Sequence, residues 1–167
     1  MNGAQLHLVL NHVPVLGALG AALLLLWALL AGSRDLARAG FAGLLVVALF
    51  SAGAYFSGEE AEEVVEDYAG VHEQTIEDHE EAAELAFILG LIAAVPGLAG
   101  LWLERSHQTP RRVHLFLGLA FALVVFGDMA YTAHLGGLIR HPELENGLSA
   151  SERTGTDSQA IDPDDDD

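Results

Sequence analysis

Four apolar runs, at residues 6–31, 36–56, 82–103 and 113–139, are separated by short polar connections and one long acidic one. Each run is about 20 residues or longer, enough at about 1.5 Å per residue to cross a hydrocarbon core of about 30 Å. Nothing in them alternates like barrel strands, and in lipid a helix satisfies all its backbone groups within the segment. The pattern predicts four transmembrane helices. The first run has no basic leader and is too long for the apolar part of a secretion signal, so it reads as a span.

Between the second and third runs the pattern changes. Residues 58–84 carry twelve Asp and Glu, two His and no Lys or Arg. Ala61, Val64, Val65 and Tyr68 recur at the i, i+3, i+4, i+7 spacing of one helical face. Ala69-Gly70 breaks that helix, and a second starts near Val71, with His72, Ile76, His79, Ala83 and Ala86 on one stripe leading into the third span. The expected fold is therefore all-α: a four-transmembrane-helix bundle at residues 1–141, with a short amphipathic acidic helical cap at 58–84 between helices two and three. Residues 142–167, ending DPDDDD, read as an acidic disordered tail.

Composition sharpens the topology. The 167 residues carry a formal charge of -17 yet are 51% hydrophobic, so acidity and apolarity are segregated along the chain. There is no lysine. Five of the seven arginines (Arg34, Arg38, Arg105, Arg111, Arg112) fall in the connections between helices one and two and between helices three and four. The positive-inside rule makes those connections cytoplasmic and puts both termini, the cap and the tail on the outer side of an inner (cytoplasmic) membrane. The acidity argues against a nucleic-acid partner and also serves solvation, as in proteins adapted to high salt. With no cysteine, thiolate metal sites, disulfides and cysteine nucleophiles are excluded.

Six of the eight histidines (His7, His12, His72, His79, His134, His141) map to the outer side. His12 and His134 each lie about 8 to 9 Å below the outer ends of helices one and four, at matching depth. On helix four, Ala120, Gly127, His134 and His141 fall at successive sevens beside Tyr131, a small-residue spacing that lets helices approach closely and predicts that His134 faces the interior. On helix one, His7, Asn11, Pro14, Ala18 and Ala21 form a packed stripe with His12 beside it. Pro14 also frees the carbonyl of Leu10. Asp128 is the one carboxylate near the middle of helix four, about a quarter turn from the His134 face; it either bonds a neighbouring helix or serves in catalysis or proton relay, with Tyr131 as a candidate partner.

Three functional classes fit. Two or three imidazoles with a carboxylate suit zinc, iron or copper, and ligands His12, His79 and His134 with Glu59 or Glu63 would draw all four helices together under the cap. Redox, transport and structural uses are all open to such a centre. Alternatively, His12 and His134 serve as axial ligands of a haem b, with Arg140 meeting a propionate, in an electron-transfer module partnered by another membrane protein or an electron carrier. The third class is a structural or accessory membrane subunit without cofactor, whose many glycines promote close packing. The chain shows no inverted repeat of the kind transporters use, and no reaction is specified.

At LVLNHVPVLGALGAALLL in the first span and YTAHLGGLIRHPEL closing the fourth, the chain resembles bacterial four-span membrane families classed as domains of unknown function, whose first span carries a His-x-Pro element like His12-Val13-Pro14. The resemblance covers roughly residues 1–145. It implies that His12, Pro14 and the segment from His134 to His141 are places to look, and it attaches no activity to them.

Overall fold

The computed structural model describes residues 3–65, 73–106 and 111–141. Two of its four spans are broken helices, and both breaks have the same cause. Helix α1 (Gly3–Leu10) meets α2 (His12–Ala31) at Asn11, three residues before Pro14, while α5 (Glu73–Ile92) meets α6 (Ala94–Ser106) at Ala93, three residues before Pro96. Proline offers no N–H to the carbonyl one turn back and crowds that turn, so the helix opens just upstream. At the second break the Ala93 N–H is shared between the Leu89 and Gly90 carbonyls, at 3.0 and 3.2 Å. The other two spans are continuous: α3 (Arg34–Phe56) and α7 (Arg111–Arg140), with α4 (Gly58–Val65) following α3 after a single residue.

Four stretches are long and apolar enough to cross a membrane: Gly3–Ala31, Arg34–Phe56, Glu73–Ser106 and Arg112–Ile139. They pack in a ring, with α2 against α3 and α7, α3 against α5 and α6, and α5 against α7. The turn from α2 to α3 is as tight as a helical hairpin allows. Gly32 ends α2 at φ 66°, a left-handed conformation that costs glycine little, and the Ser33 side chain caps α3 by accepting from the Leu36 N–H at 3.3 Å.

Small residues set the core. Ala18, Ala21, Leu25, Leu44, Val47, Ala122 and Val125 are buried, and a Cβ added at Gly40 would fall 2.7 Å from Leu25 Cγ, so α2 and α3 approach through that glycine. Phe41 is the largest fully buried side chain. It fits because Gly100 of α6 and Gly118 of α7 lie against its ring, where any side chain would overlap it. The outside is as apolar as the inside: Trp27, Leu30, Leu49, Trp102 and Phe116 are all exposed. A water-soluble protein of this size does not present so continuous an apolar surface, whereas lipid tails match it. The described residues are all-helical, and the molecule is a multi-pass membrane bundle.

The acidic connection is described in part. Its first helix exists as α4 and packs on α1, where Gly3 lies against Glu60. Its second helix leads into the third span as expected: α5 runs unbroken from Glu73, and its first turns are anchored by the buried Thr75 and Ile76. Tyr68, the Ala69-Gly70 break, Val71, His72 and the tail at 142–167 lie outside the described residues.

Candidate functional site

One end of the bundle carries most of the described histidines. His7, on α1, is half-buried between the first span and the end of the second; its ring N–H at Nδ1 donates to the Ala54 carbonyl at 2.9 Å, with the Ser57 hydroxyl 3.3 Å away. His79, on α5, is also half-buried, and its Nδ1–H donates across the bundle to the Thr132 carbonyl of α7 at 3.0 Å. A carbonyl only accepts, so in both rings Nδ1 carries the proton and a neutral ring then keeps its lone pair on Nε2. Orienting a ring through Nδ1 in this way is how proteins present Nε2 to a metal. The two rings are electrostatic neighbours.

Each anchor is itself held. Ser57 donates to the same Ala54 carbonyl at 3.0 Å and is buried at the end of α3. The Thr132 hydroxyl reaches two backbone carbonyls, Ala82 of α5 at 3.2 Å and Asp128 of its own helix at 3.1 Å, pinning α7 to α5 beside His79. Gly136 supplies the floor: a Cβ there would come within 3.1 Å of the His79 ring. Two polar atoms on the same spans, Asn11 Oδ1 at the α1/α2 break and Asp128 Oδ2 on α7, are buried without a hydrogen-bond partner. Exposing a lone pair to a buried, apolar surrounding is costly, so such atoms mark places where polarity has been retained.

The residues expected from sequence separate into three groups. His79 stands at the site. His12 is an electrostatic neighbour of His7 and also directs Nδ1 to a carbonyl, that of Leu8 at 2.8 Å, but its ring is exposed. His134 and Glu59 are exposed. The side chains of Glu63 and Arg140, and the whole of His72, lie outside those described. Among the described residues no three His, Asp or Glu side chains stand together as a metal-binding group.

The inward orientation expected of His134 is a misreading of the small-residue stripe. Ala120, Gly127, Tyr131 and His134 all lie on the exposed side of α7, and a Cβ at Gly127 would touch nothing. The buried stripe is Leu115, Gly118, Ala122, Val125 and Met129. Lipid is as apolar as a neighbouring helix, so spacing of small residues alone does not separate the two faces. On helix one the stripe is confirmed: Pro14, Ala18 and Ala21 are buried, with His7 and Asn11 partly so.

The opposite, arginine-bearing end holds a pair that sequence reasoning did not single out. Glu104 and His114 are only 3% and 8% exposed, and His114 Nε2 lies 2.9 Å from Glu104 Oε1. The imidazole stands 6.0 Å from the Phe41 ring, centroid to centroid, and its Nδ1 has no partner. The signal was present: Glu104 directly follows the third apolar run, ten residues before a histidine at the start of the fourth.

A scan against protein-family models, a search of curated proteins and a search of solved structures each found no match.

Proposed function

We propose that the protein is an integral membrane protein holding a metal centre at its histidine end, with Nε2 of His7 and of His79 as the core ligands. The observation that carries this reading is the pair of inter-helix hydrogen bonds, His7 to Ala54 and His79 to Thr132, which use Nδ1 of each ring and leave both Nε2 atoms without a hydrogen-bond partner among the described residues. A histidine whose job was only to bridge helices would be satisfied at either nitrogen; two neighbouring rings fixed in the same tautomer fit ligands better. His12, with the same tautomer and next to His7, is the nearest further imidazole. In this reading the positive-inside rule puts the centre at the outer surface, and the acidic cap, with Glu59, Glu63 and Glu80, concentrates cations there.

The ion is zinc, iron or copper, the metals that imidazole suits. The haem b reading has its own support: two imidazoles from different spans, both offering Nε2, are what an axial pair requires. His7 and His79 then replace His12 and His134 in that role, and Arg140 remains the candidate for a propionate. In either form the protein would serve a neighbouring membrane protein or an electron carrier if the centre is redox-active.

The test is metal retention by variants purified in detergent. His79→Asn, whose amide can still donate to Thr132, and His7→Ala are expected to lose most of the bound metal with helix content unchanged, while His134→Ala keeps it. Full retention by His79→Asn removes His79 from the ligand set, and loss only in His134→Ala reinstates the pairing of His12 with His134.

A further inference from the structure

At the arginine end, a groove of about 400 Å³ runs between the first and fourth spans, lined by Leu29 of α2 and by Arg112, Val113, Phe116 and Leu117 of α7. We propose that this groove holds one anionic phospholipid, with the phosphate against Arg112 and an acyl chain along the apolar wall. Three features converge there. The lining is almost wholly apolar, and Val113, Phe116 and Leu117 are each more than half exposed along an open slot. At its rim lies the start of a 30-residue helix, whose first-turn N–H groups have no intrahelical acceptor and whose dipole presents its positive end. Arg112 itself is exposed at that rim, where a guanidinium can fork onto a phosphate.

Charge complementarity identifies the occupant. The chain as a whole is strongly acidic, yet its two connections at this end, residues 32–38 and 104–114, hold five arginines against only Asp35 and Glu104. Asp35 lies on the surface beside Arg38 at 3.7 Å, and Glu104 is committed to the buried His114. The end therefore keeps a net positive field at the depth of lipid headgroups. A zwitterionic lipid would fill the slot equally well but would gain nothing net from that field. A second copy of the chain is disfavoured because it would bring like arginines together.

Native mass spectrometry of the detergent-solubilised protein decides it, with phosphatidylglycerol and phosphatidylcholine of identical acyl chains as competing probes. The expected result is preferential retention of one phosphatidylglycerol per chain, a preference cut about fivefold in Arg112→Gln, the effect of one cation near a charged surface. Phe116→Ala, at an exposed position that leaves the core intact, weakens retention of both lipids by opening the slot. Arg105→Gln, on a different helix of the same end, leaves the preference in place. Equal retention of the two lipids by the wild type overturns the proposal, as does an Arg112→Gln protein with an unchanged preference. An equal loss in Arg105→Gln would assign the effect to general charge at this end and also overturn the groove.

Discussion

At the scale of single residues, the two ends of the bundle use histidine in opposite ways. His7 and His79 each spend Nδ1 on a backbone carbonyl and leave Nε2 available, whereas His114 uses Nε2 on Glu104 and leaves Nδ1 buried without a partner. Breaking a buried pair by removing one member strands the other in a low-dielectric site, a loss of about 3–5 kcal/mol. Glu104→Ala should accordingly lower the thermal unfolding temperature markedly, while the double variant Glu104→Leu with His114→Leu should unfold closer to wild type than either single change. Additive losses in the double variant would show that the two groups do not act as a pair. The histidines also mark how far sequence reading reaches. Their accumulation at one end was legible, because spans can be counted. Which of them turn inward was not: His7 and His134 sit in similar small-residue patterns, and only packing against Ala54 and Ser57 distinguishes the first from the second.

At the scale of helices, prolines and glycines do the shaping. Both broken spans open three residues before a proline, and the break in the first places Asn11 and His7 where α3 ends. Pro14→Ala is expected to restore a helical bond to the Leu10 carbonyl and straighten the first span, drawing His7 away from Ala54; metal retention then falls with helix content preserved. Unchanged retention would separate the break from the site. Phe41, wedged between Gly100 and Gly118, gives a sharper packing test. Gly100→Ala forces the ring to move, and overpacking of this kind costs about 1–3 kcal/mol, so the variant should unfold several degrees below wild type, and Phe41→Leu introduced with it should recover part of the loss. The four spans themselves were legible because length and apolarity decide them, three to within a few residues, while the third starts nine residues before the apolar run at 82–103. The acidic connection was legible in part: the stripe through Ile76 and His79 leads into the third span as α5, while the face through Tyr68 and the break at Ala69-Gly70 lie outside the described residues.

At the scale of the whole molecule, charge is sorted along the membrane normal, with most arginines at one end and the acidic segment and most histidines at the other. The topology proposed from the positive-inside rule would put the histidine end outward. Because the chain has no cysteine, Ser151→Cys should react with an impermeant thiol reagent in intact cells and Ser106→Cys should be protected; the reverse pattern would invert the orientation. Metal is the central question, and elemental analysis of the detergent-purified wild type, expressed per chain, addresses it most directly. A metal centre built on His7 and His79 requires zinc, iron or copper at close to a whole-number ratio, and iron accompanied by a Soret band would make it haem. A folded, fully helical protein with no metal under conditions that spare weak sites would contradict it, leaving the two histidines as hydrogen-bonded struts between spans.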